Sequence, residues 1–245
     1  MNREKIILLI LVIMALIANY SFFDNFLEKS YEDSEYGVVE RVIDGDTLVI
    51  NRTSVRLLGI NSPEKGEAGY ASAMNFLKDG VLEKEVKLVF GREKYDLYKR
   101  KLAYVFIGGK NINLESVKNG YSNFYFPSGR DGYYVDFYDA WKNCMGKNIN
   151  LCEKSYETCM ILSEWDFKNQ RVVLENSCSK EVNITGWSLK DEGRKKYVFE
   201  DKSLNSGEKI ILTAKDWNET YVWTFSGDSI FIRDNQGKLV YWDSY

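Results

Sequence analysis

Val42-Ile43-Asp44-Gly45-Asp46-Thr47 and, one hairpin further on, Arg56-Leu57-Leu58-Gly59-Ile60-Asn61-Ser62-Pro63-Glu64 bring acids, an arginine and tight turns into one short span. The chain around them alternates as strands do. Gly37 to Ile43 leads into a turn at Asp44-Gly45-Asp46, then come Thr47 to Ile50, a second turn at Asn51-Arg52-Thr53, and Val55 to Leu58. Asp44, Asp46 and the Asn61 carboxamide are the oxygen donors that a hard divalent cation prefers, and Arg56 offers a planar fork for phosphate. Glu64 is near enough in sequence to act as a base toward water. Asp-Gly alone is ordinary turn chemistry, so these acids carry weight only together with the rest of the set.

Moving outward, Glu67 to Lys78 reads as a helix on Ala68, Ala71, Met74 and Leu77, terminated at Gly80. Glu85 to Phe90 and Lys101 to Phe106 read as strands. Asn113 is placed to cap a short helix running toward Gly120, and Tyr134 to Cys144 forms an amphipathic helix with Phe137, Tyr138 and Trp141 on one side. Short strands with an inserted helix predict a small closed barrel of the oligonucleotide-binding (OB) kind.

Composition narrows the chemistry. The 245 residues include no histidine, which excludes a Ser-His-Asp triad, a Cys-His dyad and most zinc hydrolase sites, and leaves carboxylates, arginines and tyrosines. The net charge is -3, and only the block from 36 to 147 is net positive, a weak hint of a polyanionic partner. Arg3 and Lys5 precede the apolar run Ile6 to Ala18, which predicts an export signal, or an uncleaved anchor if Tyr20, Phe22 and Phe23 extend it across residues 6–23. An acidic spacer is expected over 24–35. Export suits Cys144, Cys152, Cys159 and Cys178. Three pairings are open, and Cys144 with Cys152 and Cys159 with Cys178 are favoured because both close local loops.

Three segments together resemble the staphylococcal nuclease (thermonuclease) family: Ile43-Asp44-Gly45-Asp46-Thr47, Arg56 to Glu64, and Asp96-Leu97-Tyr98-Lys99-Arg100-Lys101-Leu102-Ala103-Tyr104, in the family's order and at compatible spacing. The resemblance covers about Tyr36 to Lys147. It implies an OB-like five-stranded barrel with helices that binds Ca2+ and hydrolyses DNA and RNA phosphodiesters. It further implies Asp46, the Asn61 side-chain oxygen and the Ser62 carbonyl as calcium ligands, with Asp44 in the outer shell. Glu64 would be the general base, and Arg56 and Arg100 the phosphate clamps. Tyr98 matches a nucleotide-pocket tyrosine, Lys99 adds charge beside it, and Tyr125 lies in the aromatic cluster Tyr121, Phe124, Tyr125 and Phe126, where base stacking is expected; stacking suits single strands of any sequence. Two residues depart from the family's pattern. Asn61 stands where an aspartate is frequent, which should weaken calcium binding or alter the choice of metal, and Lys99 stands where glycine is usual.

Beyond a linker at 151–158, the texture changes to short strands separated by turns: Met160 to Leu162, Arg171 to Asn176, Val182 to Ile184, Trp187 to Leu189, Lys196 to Phe199, Lys209 to Thr213, Tyr221 to Trp223 and Ser229 to Arg233. This spacing predicts a sandwich. Val173 to Asn176, Ile184 to Leu189, Gly227 to Ser229 and Asp234 to Gly237 resemble the lamin-tail domain, an immunoglobulin-like module, over 159–245. Trp187 reads as core, and the scattered acids of this half read as a solvated surface. The chain is thus expected to be mainly β, with a nuclease barrel over 36–150 behind a signal peptide or anchor at 1–23. The protein is expected outside the cell or on its surface, with DNA or RNA, single-stranded by preference, as its partner. The competing reading is a non-catalytic nucleic-acid-binding or surface adhesion protein.

Overall fold

The computed structural model describes residues 3–19 and 33–245. The expected spacer residues Asp24, Glu28 and Glu32, and the aromatic extension at Tyr20, Phe22 and Phe23, lie outside the described residues. The first helix, α1 (Arg3–Ala18), opens on Arg3-Glu4-Lys5 and carries only apolar residues from Ile6 onward. Among the described residues no helix is long and apolar enough to cross a membrane.

The barrel begins with β1 (Ser34–Val42), within the span expected to be spacer, and continues through β2 (Thr47–Ile50) and β3 (Thr53–Leu57). Helix α2 (Tyr70–Val81) separates these strands from β5 (Glu85–Tyr95) and β6 (Lys101–Ile107). Antiparallel pairing runs β3-β2-β1-β5-β6, and a parallel ladder of Val55, Arg56 and Leu57 with Lys101, Leu102 and Ala103 closes the cylinder. The predicted OB-like five-stranded barrel is therefore present. Val39, Leu48, Val55, Leu57, Leu88 and Val105 fill it, and α2 closes one side through Ala73, Leu77 and Val81. The helix runs later than its apolar pattern suggested and passes through Gly80, which leaves Ala68 outside it.

A short strand β7 (Lys110–Asn111) leads into α3 (Ile112–Lys118), whose cap is Asn111 rather than the expected Asn113. Asn111 accepts the Leu114 N–H, while Asn113 is fully buried and staples β6 by accepting from Val105 N and donating to the Leu58 and Ala103 carbonyls. A two-strand ribbon pairs β4 (Gly59–Asn61) with β8 (Asn123–Tyr125). Helix α4 (Tyr134–Lys147) then packs Phe137, Ala140 and Trp141 onto the core.

The C-terminal half is a sandwich of β9 (Met160–Asp166), β10 (Arg171–Asn176) and β15 (Lys209–Thr213) against β12 (Ser188–Lys190), β13 (Lys196–Val198), β16 (Ser229–Arg233) and β17 (Leu239–Ser244). The pairs β11 (Val182–Asn183) and β14 (Ser203–Leu204) flank it. Tyr221 to Trp223, expected as a strand, is irregular chain whose Val222 and Trp223 enter the core from a loop. Trp187 is buried in that core, as read from the sequence. Both favoured disulfides form, Cys144–Cys152 and Cys159–Cys178.

The period of two along β16 decides how the halves meet. Ile230 and Ile232 face the sandwich core, while Phe231 points the other way into the barrel's core, where its ring lies edge-on to Trp141 at 5.5 Å. Leu239 and Trp242 of β17 join it there. The sheet β13-β12-β16-β17 is thus apolar on both faces, one for each domain. A cavity of about 70 Å³ remains at the junction, lined by Glu67, Lys190, Phe231 and Arg233 among others.

Candidate active site

The turn Asp44-Gly45-Asp46 sits at the mouth of the barrel, pressed against α2 and Ser62. A Cβ on Gly45 would come within 2.6 Å of the Ala73 Cβ and 2.7 Å of the Ser62 Cβ, so only glycine lets the turn approach. Asp44 Oδ1 accepts the Asp46 N–H at 3.0 Å and fixes the turn. Burial, and then the neighbouring Asp46 carboxylate, push the Asp44 carboxyl above its usual range.

Asp46 is 2% exposed and fully engaged. Its Oδ2 accepts from Ser62 N at 2.8 Å and Ser62 Oγ at 3.0 Å and lies 3.2 Å from Arg56 Nη2, while Oδ1 accepts from Thr47 Oγ1. Arg56, on β3, also donates through Nη1 to the Leu57 carbonyl at 2.7 Å and through Nη2 to Asn61 Oδ1 at 3.4 Å. Four of the sequence-derived residues, Asp46, Arg56, Asn61 and Ser62, therefore form one buried network, with Asp44 attached to it through the main chain.

These donors suit a hard cation. Asp46 Oδ2 and Asn61 Oδ1 converge on one cationic nitrogen, Arg56 Nη2, so both oxygens already face a common positive centre. They are hard oxygens without nitrogen or sulfur ligands, the set that calcium takes.

Glu64 follows Ser62 by two residues and is half exposed. Its Oε1 lies 2.9 Å from Arg194 Nε, a residue of the sandwich. Arg100 makes its described contacts elsewhere. Its guanidinium pairs with Asp96 at 2.6 Å, and the hydrogen bonds from Arg100 hold the Asp96 carboxyl below its usual range despite the upward push of burial. The parallel ladder nonetheless sets Lys101 opposite Val55, which brings the start of β6, and Arg100 with it, beside the β3 strand that carries Arg56. Tyr98 is largely exposed, with the Arg100 guanidinium 5.6 Å from its ring centre. Lys99 adopts φ 62°, the left-handed conformation that explains why glycine suits that position. Of the expected stacking cluster, Phe124 is core and Tyr121 stacks on Phe76 at 4.6 Å. Tyr125 lies near Arg56 of the buried network and against the Gly193 turn. Burial, and then Asp191, push its hydroxyl pKa up.

The sequence reading missed the turn between β12 and β13. Asn61 Nδ2 donates to the Gly193 carbonyl at 2.7 Å and the Glu192 carbonyl at 3.2 Å, and Asn123 Nδ2 donates to Glu192 O at 3.0 Å. A Cβ on Gly193 would sit 3.3 Å from the Tyr125 ring. The acids of this half are not all solvated as expected: Asp191, Glu192 and Asp228 are buried together. Burial drives the Glu192 pKa up to about 8, and burial followed by Asp228 drives Asp191 to about 7. Nothing in the short run Asp191-Glu192-Gly193-Arg194-Lys195 distinguishes it from a surface turn, because its role depends on the docking of two domains.

An OB-type barrel carrying an acid–arginine network at its mouth, with an immunoglobulin-like sandwich behind, defines the class. The family model of the staphylococcal nuclease homologue matches residues 54–153, and that of the lamin tail domain matches residues 157–245. The thermonuclease of Staphylococcus intermedius is 32% identical over 161 residues, which span 61% of this chain and 96% of that protein. An uncharacterized endonuclease of Haemophilus influenzae is 37% identical over 118 residues, 46% of this chain and 64% of that protein. Endonuclease YhcR of Bacillus subtilis is 37% identical over 154 residues, 51% of this chain and 13% of that protein. The chain belongs to the staphylococcal nuclease family and carries a lamin tail domain at its C-terminal end. These relatives support a nuclease function.

Proposed function

We propose that the chain is an exported, calcium-dependent nuclease that hydrolyses phosphodiester bonds of DNA and RNA, with single strands preferred. The observation that carries the reading is the buried network of Asp46, Arg56, Asn61 and Ser62, with a half-exposed carboxylate, Glu64, two residues further along the chain. Asp46, Asn61 Oδ1 and the Ser62 carbonyl would hold calcium, with Asp44 supporting them from outside. Bound calcium would supply positive charge against the phosphate as it gains negative charge.

Glu64 takes a proton from water as the water oxygen attacks phosphorus and the ester P–O bond opposite breaks, and the departing sugar oxygen takes up a proton from solvent. Arg56 and Arg100 clamp the phosphoryl oxygens, whose charge redistributes as that bond breaks. Tyr98, Lys99 and Tyr125 line the path of the nucleotide. Export is supported by the basic start of the chain followed by an apolar helix and by two disulfides, which persist in oxidising compartments. The sandwich would serve targeting or binding.

The test is digestion of single-stranded DNA by the full chain across a calcium series, for wild type and Glu64→Gln. Calcium-dependent cutting by the wild type, reduced at least 100-fold in Glu64→Gln with oligonucleotide binding retained, supports the reading. A wild type that binds the strand and leaves it intact at every calcium concentration supports a binding module instead.

A further inference from the structure

The sandwich does more at the nuclease site than touch it. A side-chain amide can turn either its oxygen or its nitrogen inward, and a cation needs the oxygen. Asn61 is 2% exposed, so its nitrogen has no water to turn toward and needs protein acceptors. Those acceptors come from the other domain, 131 and 132 residues away in sequence: the main-chain carbonyls of Glu192 and Gly193. With the nitrogen held there, Oδ1 faces the Arg56 guanidinium, the same group that pairs with Asp46.

The turn that offers the carbonyls is itself fixed. Glu192 Oε1 accepts from Ser229 Oγ at 2.7 Å, the Glu192 N–H donates to Asp228 Oδ1 at 3.2 Å, and Asn123 holds the same carbonyl from the barrel side. An aspartate at 61 would have no such fit, since its carboxylate would meet two carbonyl oxygens. Asn61 and the sandwich turn are therefore matched to each other.

We propose that the turn Asp191–Lys195 is a working wall of the nuclease site, in which the Glu192 and Gly193 carbonyls position the Asn61 amide so that its oxygen serves the cation. Cation binding and the docking of the two domains are then thermodynamically coupled, each favouring the other. The inference rests on the proposed calcium site in taking Asn61 as a ligand.

The experiment uses the full chain and follows thermal unfolding with and without calcium chloride. Asn61→Asp, which adds charge to the cation site, is expected to lower Tm in calcium-free buffer by on the order of 5 °C, and by more than Asn61→Ala. Ser229→Ala lies in the sandwich and frees the turn without touching the cation's oxygens. It is expected to weaken the calcium concentration dependence of the Tm rise by about tenfold, as the loss of a group that orients a ligand does; a purely structural loss would lower Tm equally at every calcium concentration.

An Asn61→Asp protein as stable as wild type, with a larger calcium-induced rise, overturns the proposal. So does an undiminished calcium response in Ser229→Ala. A wild type that shows neither a calcium response nor cutting removes the nuclease reading and the coupling with it, whereas the calcium-free comparison of Asn61→Asp with Asn61→Ala still reports whether the two carbonyls orient the amide.

Discussion

Arg194, from the lamin tail domain, lays its guanidinium on Glu64 of the nuclease barrel, with Nε 2.9 Å from Oε1 and both side chains more than half exposed. A pair this open to water is worth less than ~1 kcal/mol, too little to keep the carboxylate from its water. If the proposed function holds, this exposed guanidinium beside Glu64 would meet a phosphate of the bound strand.

Arg194→Ala should therefore raise KM for single-stranded DNA by roughly three- to tenfold with little change in kcat. The salt dependence of oligonucleotide binding should flatten by about 0.7 in the log–log slope, the share of one phosphate contact on a single strand. Fluorescence anisotropy across a salt series reads the second quantity. A faster enzyme with unchanged binding would identify Arg194 as a blocking group instead.

Asp46→Asn keeps the shape and removes the charge that Arg56, Ser62 N and Ser62 Oγ converge on. Expected are a loss of stability on the order of 3 kcal/mol, because Arg56 is left buried without its counter-charge, and loss of the calcium-induced rise in Tm. Urea unfolding with and without calcium measures both.

Phe231→Ala truncates a sandwich residue that lies in the barrel's core against Trp141. The expected cost is about 3–5 kcal/mol. Calorimetry should show one transition for the wild-type domains and two for the variant as their shared core is lost. A single unshifted transition would refute the shared core.

Stability should fall as pH rises toward alkaline values. Folded Glu192 keeps its proton up to about pH 8, whereas an unfolded glutamic acid releases it near 4.5. Between these values the folded state binds more protons, so the stabilisation is complete below 4.5 and is lost as pH climbs through 8. Asp191, raised to about 7, adds to the same slope from 3.8 upward. Glu192→Gln should remove the Glu192 share of this slope and leave that of Asp191, in Tm measured from pH 4 to 9.

Much of this was legible in the chain. Local signals placed β2, β3 and β6, because alternation and Asp-Gly turns are short-range chemistry, and the two disulfides followed from loop length. The motif around Asp46 and Asn61 located the buried network. Asn113 misled because a carboxamide before a helix looks the same whether it caps that helix or staples a strand. Tyr221 to Trp223 alternates like a strand but enters the core from a loop, and β17 was not anticipated. The role of Asp191 to Lys195 had no local signature, since its hydrogen-bond acceptors are main-chain carbonyls and its companions, Asn61, Asn123 and Glu64, belong to another domain.

The bond between Cys144 and Cys152 lies where the chain leaves α4 and heads for the sandwich. Directly after it, Lys154 bridges to Leu239, and the Ser155 N–H reaches the Leu239 carbonyl. In an oxidising compartment the second domain hangs from a short, fixed tether; with both thiols reduced, the same polypeptide has more slack at that joint. The bond thereby shortens the free chain between the two domains, so that the sandwich starts from a point fixed on the barrel.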